Sequence, residues 1–336
     1  MNYLVTGSAG HLGEALMRTL QGRGQDVRGL DLKASPFTHF VGSVIDPDFV
    51  ALAMKNVDIV LHTATLHKPH VGTHSRQDFV DTNITGTLNL LEAAVKSGIK
   101  AFIYTSTTST FGDAMRPPIG GPAVWVNETL APKPKNIYGV TKTAAEDLCQ
   151  LFSRNHQLPS IVLRTSRFFP EADDNKDRRD GYMDENLKVN ELLYRRVDIE
   201  DVVNAHLLAV HKAPSLGFDR FIISATAPFV QADALQLGVD VATVVEKYVP
   251  QFQSLYREKG WRMLPAIDRV YDSNHASTVL GWIPKFTFSN VITRLEEGED
   301  YRSSLARAVG IKGYHDKVFD GEPYPLDKKL QTELEQ

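Results

Sequence analysis

Short apolar runs alternate with amphipathic stretches over the first half of the chain. The apolar runs, each long enough for one buried strand, lie at residues 3–6, 26–32, 57–62, 101–106 and 160–164. The stretches at residues 12–23, 81–97 and 138–156 repeat their apolar positions with the period of a helix. Strands that alternate with helices predict right-handed crossovers and a parallel sheet covered on both faces. The pattern therefore predicts an α/β fold with a doubly wound parallel sheet.

A glycine-rich segment, Thr6 to Gly13, joins the first predicted strand to the first predicted helix. Its three glycines are Gly7, Gly10 and Gly13. This spacing allows a tight turn, a close approach of the backbone to a pyrophosphate, and close packing of the helix on the strand. The N–H groups of His11 and Leu12 are expected to face the phosphates at the helix N-terminus. The segment predicts a Rossmann-type dinucleotide site.

Asp31 lies near the end of the second predicted strand, where a carboxylate accepts hydrogen bonds from the adenosine ribose. A 2′-phosphate in that place would be repelled by the carboxylate, so the cofactor is expected to be NAD. NADP stays open as the second choice because Lys33 lies close by in the sequence.

Tyr138 and Lys142 are four residues apart in a predicted helix and therefore share one face of it. A free tyrosine titrates near pH ~10, and a neighbouring cation together with a positive nicotinamide ring would lower that pKa. Tyr138 could then take a proton from a substrate hydroxyl as hydride leaves for NAD. The hydroxyl-rich run at residues 105–110 follows a predicted strand, at the edge where open parallel sheets bind ligands.

The alternating pattern ends after Arg164, and residues 171–184 include five aspartates. This composition is typical of a solvated excursion, and we expect a substrate cap to begin there. Residues 1–166 are expected to form the NAD-binding domain, with 191–215 and about 266–284 returning to it. Residues 167–190, 216–265 and 285–330 are expected to form a smaller C-terminal substrate-binding cap.

The composition narrows the range of partners. The 336 residues include 37 basic and 41 acidic side chains, a formal net charge of −4 that disfavours nucleic acid as a partner. No apolar run approaches the ~20 residues of a membrane-spanning helix, and the N-terminal sequence lacks the pattern of a signal peptide. Cys149 is the one cysteine, which suits a reducing compartment. We expect a cytoplasmic protein without a nucleic-acid or membrane partner.

Five motifs occur in order along the chain: Thr6 to Gly13, His62-Thr63-Ala64, Asn83 to Thr87, Thr105 to Gly112, and Tyr138 to Lys142. In this combination the chain resembles the extended short-chain dehydrogenase/reductase superfamily, and within it the NAD-dependent epimerase/dehydratase group. The resemblance covers residues 1–210, with later landmarks at 197–202 and 280–284. It implies an enzyme that binds NAD and acts on a small molecule, a sugar derivative.

The resemblance also implies roles for individual residues. The catalytic hydroxyl falls on Thr107, beside Tyr138 as the proton carrier and Lys142, which also holds the nicotinamide ribose. Further cofactor contacts, beyond the glycine segment and Asp31, fall on Ser43, Val44, Ala64 and Asn83. The substrate contacts fall on Thr107, Thr108, His67 and Arg167.

A homodimer is a further implication of the resemblance, because family members often pair two helices into a four-helix interface. The apolar residues of the corresponding helices here are Leu88, Leu90, Leu91, Leu148, Leu151 and Phe152. The alternative is that these residues belong to the core of the monomer.

Two positions depart from the sugar-nucleotide epimerases. Gly42-Ser43-Val44 replaces a motif with an acidic adenine contact, and Arg167 replaces an asparagine that holds the sugar diphosphate. A guanidinium suits a carboxylate or a phosphate, and Phe169-Pro170-Glu171 resembles the uronate dehydrogenases of the same superfamily. The alternative is that Arg167 pairs with a nearby acidic side chain.

Several functions are therefore compatible with the motifs. A sugar or sugar-nucleotide epimerase/dehydratase regenerates NAD in place, whereas a dehydrogenase of a free sugar acid or another small hydroxy compound releases NADH. A non-catalytic NAD-sensing regulator usually lacks the tyrosine or the lysine, and both are present here. The intact catalytic set and the mild acidity also disfavour a structural or RNA-associated member of the superfamily.

His67, His70 and His74 are close together in the sequence, a spacing at which imidazoles can converge on zinc. No Cys or Glu joins them, and their stretch is predicted as a loop rather than a helix. We therefore expect no metal site, and we expect His67 or His70 to line the mouth of the substrate pocket.

Overall fold

The computed structural model describes residues 1–118, 120–313 and 315. Within these residues the chain forms nine strands and thirteen α-helices. The strands are β1 (Asn2–Thr6), β2 (Asp26–Asp31), β3 (Phe40–Val41), β4 (Ile59–His62), β5 (Ala101–Thr107), β6 (Val124–Val126), β7 (Ser160–Thr165), β8 (Phe218–Ile223) and β9 (Arg269–Tyr271). Residue 314 and residues 316–330, which the sequence pattern assigns to the cap, lie outside the described residues.

The helices are α1 (His11–Gly22), α2 (Pro47–Ala53), α3 (Arg76–Phe79), α4 (Gly86–Ser97), α5 (Ile137–His156), α6 (Lys176–Gly181), α7 (Asp184–Glu191), α8 (Ile199–Leu216), α9 (Ala234–Leu237), α10 (Val241–Tyr248), α11 (Phe252–Lys259), α12 (Phe288–Glu296) and α13 (Ser304–Val309). Helices α1, α4 and α5 lie close to the positions that the sequence pattern predicts. In the described part of the chain, no helix combines the length and the apolar character needed to cross a bilayer.

Seven strands form one parallel sheet in the order β3-β2-β1-β4-β5-β7-β8. The chain builds outward from β1 to β3 and then returns to the other side of β1 with β4. This reversal opens a crevice at the carboxyl ends of β1 and β4, where open parallel sheets bind ligands. The predicted α/β fold with a doubly wound parallel sheet is confirmed.

Helices pack on both faces of this sheet and bury two separate cores. On one face α1, α8 and α13 cover the strands, and Leu16 and Val202 are fully buried there. On the other face α2, α4 and α5 do the same, with Leu91 fully buried. Burial of one such side chain contributes about 1.5–3 kcal/mol to folding. The two cores hold the strand ends, and so the crevice, in a fixed geometry.

Strand β8 corrects the boundary drawn from the sequence, which assigns residues 216–265 to the cap. The strand pairs with β7 in parallel register and forms an edge of the large sheet. Its last three residues, Phe221, Ile222 and Ile223, are fully buried, because both sides of this strand end are covered by apolar clusters. The apolar run is only three residues long, too short to give a clear signal in the sequence.

A third core lies outside the large sheet. Strands β6 and β9 form a two-stranded parallel sheet, and the apolar faces of α7 and α9–α12 pack around the strands. The sequence pattern assigns both strands to the NAD-binding part, within residues 1–166 and about 266–284, so their pairing outside the large sheet is a second correction. A smaller apolar cluster joins this part to the large sheet through Phe111, Met115, Ile222 and Tyr271. Residues from both parts therefore meet near the carboxyl end of β5.

The six apolar residues considered for a dimer interface divide into two groups. Leu90, Leu91 and Phe152 are buried in the core of the chain itself, as the alternative interpretation expects. Leu88 and Leu148 are partly buried and Leu151 is exposed. The apolar surface left for a partner on α4 and α5 is therefore smaller than the sequence suggests.

Candidate active site

A cavity of about 990 Å³ lies along the carboxyl edge of the large sheet. It is lined by residues that follow or end β1, β2, β4, β5 and β7. Almost all the residues predicted for the cofactor or the substrate line it: Gly7, Gly10, His11, Leu12, Gly13, Asp31, Ser43, Val44, Ala64, His67, Thr107, Thr108, Tyr138, Lys142 and Arg167. The fold therefore gathers into one space residues that are distant in the chain.

The glycine turn has the tight geometry that its sequence predicts. Gly7 has φ +72°, a left-handed conformation that favours glycine. A Cβ atom on Gly13 would lie 1.9 Å from the carbonyl oxygen of Gly7, so only glycine allows α1 to approach the end of β1 this closely. The turn leaves the first N–H groups of α1 at the cavity wall, where a phosphate is favoured by the helix N-terminus.

Asp31 ends β2 and fixes the glycine turn from the side. Its carboxylate accepts hydrogen bonds from the N–H of Ala9 and the N–H of Lys33, both at 2.9 Å. Each carboxylate oxygen has a second lone pair, so the group can still accept from a ribose hydroxyl. The position and the charge of Asp31 fit the adenosine end of NAD.

Asn83 is the one predicted cofactor residue that does not line the cavity. Its buried side chain instead donates to the carbonyl of Leu66 at 2.9 Å and accepts from the N–H of Leu66 at 2.9 Å. It also donates to the Thr141 hydroxyl at 3.0 Å. In the structure Asn83 therefore ties the loop after β4 to α5, one residue before Lys142.

Tyr138 and Thr107 meet at the carboxyl end of β5. The Thr107 side chain is close enough to the Tyr138 phenol to affect its pKa, and the Thr107 hydroxyl accepts from the N–H of Ser109 at 3.1 Å. Both side chains are 8% exposed and both line the cavity. Helix α5 places Tyr138 there because Asn136 caps its N-terminus, accepting from the N–H of Gly139 at 3.0 Å. The two hydroxyls can contact one substrate oxygen together.

Lys142 lies one helical turn further along α5 and is 2% exposed. Its ammonium donates to the carbonyl of Thr105 at 2.6 Å and lies 4.1 Å from the centre of the Tyr104 ring. The hydroxyl of Thr105 donates to His206 Nε2 at 2.8 Å, since His206 Nδ1–H is used by the carbonyl of Val202. Helix α8, on the opposite face of the sheet, thus helps to hold the carbonyl to which Lys142 donates.

The pKa values of the pair differ from the sequence-based expectation. Burial raises the pKa of Tyr138 to about 12, with the hydrogen bond from Thr107 acting in the opposite direction. Burial lowers the pKa of Lys142 to about 7, opposed by the charge of Glu146 one turn away. The polypeptide alone keeps Tyr138 protonated at neutral pH.

The excursion after β7 is less solvated than its acidic composition predicts. Glu171 is 7% exposed, and its carboxylate lies 2.7 Å from Nε2 of His11 in the glycine turn. The same carboxylate accepts from the N–H groups of Lys312 and Gly313, at 3.2 and 3.1 Å. These contacts stabilise the buried charge and lay residues 311–313 across the glycine turn. Lys312 then pairs with Glu14 of α1 at 2.5 Å.

Arg167 lines the cavity, but its guanidinium already has several partners. It donates to the carbonyls of Glu171 and Ala172, at 3.1 and 2.9 Å. Its Nη1 also lies 3.8 Å from a carboxylate oxygen of Asp173 and of Asp174. The structure thus shows the pairing with acidic side chains that was the alternative interpretation. The substrate clamp stays a prediction.

The histidines form an aromatic cluster at the cavity. The ring centres of His67 and His70 are 4.6 Å apart, and those of His70 and His315 are 5.3 Å apart. Burial lowers the pKa of His67 well below its usual value. Among the described residues, no group of three His, Cys, Asp or Glu side chains is arranged to hold a metal ion.

Sequence reasoning missed further charged residues and a histidine that line the same cavity: Lys68, Lys135, Asp174, Arg195, Arg269, Lys312 and His315. Lys135 stands three positions before Tyr138, so its place at the site could have been inferred from the helix start. Arg269 begins β9, and Lys312 and His315 follow α13. Nothing in the local sequence of these three residues places them at the cavity, because that position depends on contacts between distant segments.

Comparison with known proteins agrees with this geometry. A family model described as the NAD-dependent epimerase/dehydratase family matches residues 3–217. The chain belongs to this family. It is therefore an NAD-dependent enzyme of the extended short-chain dehydrogenase/reductase type, as the sequence motifs predict, and NAD is its cofactor.

Two curated relatives show how much of the chain is shared. The UDP-glucose 4-epimerase of Rhizobium leguminosarum bv. trifolii is 25% identical over 331 residues, which cover 86% of this chain and 94% of that protein. The uncharacterized protein y4nG of Sinorhizobium fredii is 30% identical over 167 residues, which cover 48% of this chain and 39% of y4nG. The match to y4nG thus spans less than half of that relative.

Two solved structures share the fold. A short-chain dehydrogenase/reductase superfamily protein from Agrobacterium tumefaciens with bound NAD has a TM-score of 0.61 at 21% identity, covering 89% of this chain and 98% of the other. The UDP-glucose 4-epimerase of Thermotoga maritima with UDP-glucose has a TM-score of 0.60 at 23% identity, covering 89% and 99%. The similarity extends over the second half of the chain as well as the nucleotide-binding half.

Proposed function

We propose that the chain is an NAD-dependent epimerase or dehydratase of a sugar or sugar nucleotide, with Thr107, Tyr138 and Lys142 at its catalytic centre. One observation supports this proposal above the others. Thr107 and Tyr138 lie on the wall of the same cavity as the glycine turn and Asp31. A substrate in contact with both hydroxyls would share this cavity with NAD.

In this proposal each side chain has a separate task. Thr107 orients the reacting oxygen, Tyr138 exchanges its proton, and Lys142 contacts the nicotinamide ribose. NAD, when bound, supplies the hydride acceptor and a positive ring charge near the phenol. With a pKa of about 12, the phenol is protonated at pH 7 and is ready to donate to a carbonyl oxygen. Proton removal at pH 7 costs about 7 kcal/mol without that nearby charge, at about 1.4 kcal/mol per pH unit.

The substrate class is supported by the long match to a UDP-glucose 4-epimerase, which covers 94% of that relative. A second candidate function is the oxidation of a free sugar acid with release of NADH. It is favoured by the charge of the cavity, which in the described part of the chain is lined by five lysines and three arginines but only two aspartates. Such a lining suits an anion in addition to the diphosphate of NAD.

We further propose that the part built on β6, β9 and α9–α12 is the cap that selects the substrate. This part contributes Arg269 and Tyr271 to the cavity wall.

We also propose a homodimer through the remaining apolar surface of α4 and α5, where Leu151 is 37% exposed. Light scattering on the purified protein tests this: a dimer supports the proposal, and a monomer at all concentrations contradicts it.

The reaction is tested by following NADH absorbance and product identity together. The purified enzyme is incubated with NAD and, in separate reactions, UDP-glucose, UDP-glucuronate and D-glucuronate, with NADP as the cofactor control. Interconversion of isomers without net NADH supports the epimerase, whereas accumulation of NADH with D-glucuronate supports the dehydrogenase. Loss of water from the sugar without net NADH supports the dehydratase. Absence of all three outcomes with every sugar derivative would contradict the proposed substrate class.

A further inference from the structure

Two cations at the Tyr138 end of the cavity have no task in the proposed function. Lys135 lies just before the N-terminal cap of α5, and Arg269 is the first residue of β9. Both line the cavity that contains Tyr138. The turn Gly112–Met115 contacts both segments: the N–H of Asp113 donates to the Lys133 carbonyl at 2.9 Å, and the Met115 sulfur lies 3.5 Å from Arg269 Nη1.

The carboxylates that pair with these cations lie outside the cavity wall. Lys135 Nζ is 3.4 Å from Asp113, whose side chain is 58% exposed. That distance is longer than the ~2.7–2.9 Å of a charge-assisted hydrogen bond. The ammonium of Lys135 is therefore only loosely engaged, and Asp113 does not line the cavity.

Arg269 is fixed more firmly and still keeps one donor group. Its Nε and Nη2 donate to the two carboxylate oxygens of Asp268, both at 2.8 Å, which sets the plane of the guanidinium. The remaining nitrogen, Nη1, meets the Met115 sulfur at 3.5 Å. A thioether is a weak acceptor, so Nη1 can donate to a stronger acceptor in the cavity.

The positive charges of Lys135 and Arg269 are not balanced by any carboxylate of the described cavity wall. Burial lowers the pKa of Lys135, and the neighbouring charges of Arg116 and Arg269 lower it further, against the opposing effect of Asp113. The carboxylates of the cavity wall among the described residues are Asp31, beside the glycine turn, and Asp174, which pairs with Lys68 and Arg167. An anion between Lys135 and Arg269 would relieve the repulsion between the two cations.

We propose that Lys135 and Arg269 form an anion subsite, which holds a carboxylate or a phosphate of the substrate beside Tyr138. The inference rests on the proposed function, since it places the reacting carbon between this subsite and the cofactor. It differs from the sequence-based hypothesis, which assigns the anion to Arg167. The subsite requires a negative charge with at least two acceptor oxygens. The carboxylate of a sugar acid and the phosphate of a nucleotide sugar both meet this requirement.

The test measures binding to the NAD-loaded protein by isothermal titration calorimetry. The probes are D-glucuronate, UDP and the neutral methyl glucoside, and the variants are Lys135→Met and Arg269→Met. We expect the parent to bind one of the two anions, and each variant to weaken that binding about tenfold or more. Glucuronate as the ligand identifies a carboxylate site, and UDP identifies a phosphate site.

The matched control is Arg116→Met, which removes an exposed cation that also neighbours Asp113 but does not line the cavity. It should leave anion binding unchanged, and all variants should bind NAD as the parent does. If Arg269→Met fails to fold, the result for Lys135→Met tests the subsite by itself. Lys135 lies in the loop before α5 and in neither sheet, so its substitution should leave the fold intact. The subsite is refuted if neither anion binds the parent, or if Lys135→Met binds the anion as tightly as the parent does. Loss of NAD binding by the parent would instead refute the proposed function.

Discussion

The two ends of the cavity are built in different ways. At the cofactor end, β1, the glycine turn and β2 lie within residues 1–31, and Asp31 bonds directly to the turn. At the substrate end, Met115 and Arg269 are in contact although they are 154 residues apart in the chain. Local sequence therefore forms the turn that holds the cofactor, although Glu171 contacts this turn from a distant segment, whereas the substrate end depends mainly on contacts between distant segments. Variants at the cofactor end should accordingly lose NAD binding, whereas variants at the substrate end should lose substrate binding or turnover.

The largest effect is expected from Gly13→Val, which breaks the local packing of the cofactor end. The added Cβ would collide with the carbonyl of Gly7, 1.9 Å away, and α1 would have to move. We expect a loss of about 3 kcal/mol in the free energy of unfolding together with loss of NAD binding. Urea unfolding and NAD titration measure the two effects. Gly22→Ala is the control, since a Cβ there meets no atom within 4 Å; equal behaviour of the two variants would contradict the packing argument.

A pH effect is expected from His62, which links β1 to α4 beneath the cofactor end. Its ring lies between the hydroxyls of Thr6 and Thr87, at 2.7 and 3.0 Å. Burial lowers the pKa of His62 to about 3, so the folded state favours the neutral ring. The unfolded chain binds more protons between pH 6.5 and 3, so stability is complete above pH 6.5 and is lost as the pH falls. From pH 7 to 5 the loss is about 2 kcal/mol, at about 1.4 kcal/mol per pH unit below 6.5.

His62→Asn should have a lower stability at pH 7 and a smaller loss between pH 7 and 5, as measured by urea unfolding at both pH values. The exposed His156 provides the control, because His156→Asn should keep the pH dependence of the parent. The explanation fails if His62→Asn retains the whole dependence.

A smaller effect is expected from Glu171→Gln, which separates residues 311–313, here called the C-terminal arm, from the glycine turn. The substitution removes the charge that bonds to His11, Lys312 and Gly313. We expect a loss of about 1–2 kcal/mol in the free energy of unfolding and faster tryptic cleavage at Lys312. Glu258→Gln, at an exposed position, serves as the control. Unchanged cleavage would show that Glu171 does not hold the arm.

The smallest effect is expected from Asp31→Asn, which keeps the shape of the side chain and removes its charge. NAD affinity should fall slightly and NADP affinity should rise, so that the preference for NAD decreases about tenfold. Titration with both cofactors measures the ratio. Asp26→Asn at the exposed start of β2 should leave the ratio unchanged, and an unchanged ratio for Asp31→Asn would contradict the role of its charge.

The sequence predicts those features in which neighbours in the chain are also neighbours in space. The β1–α1–β2 unit and the shared face of Tyr138 and Lys142 follow from spacing alone. Glu171 was expected in solvent because its segment is acidic, yet it is buried against His11, 160 residues earlier. Arg269 was missed for the same reason: its role depends on β9 pairing with β6, and a three-residue strand gives no clear signal.

The site itself is tested most directly by Tyr138→Phe, which removes one hydroxyl from the cavity wall and leaves the helix intact. NAD titration and turnover of the substrate are measured on the same preparation. We expect NAD affinity within about twofold of the parent, and a fall in kcat of about a thousandfold, typical for the loss of a positioned acid or base. Turnover that stays at the level of the parent would contradict the assignment of proton transfer to Tyr138.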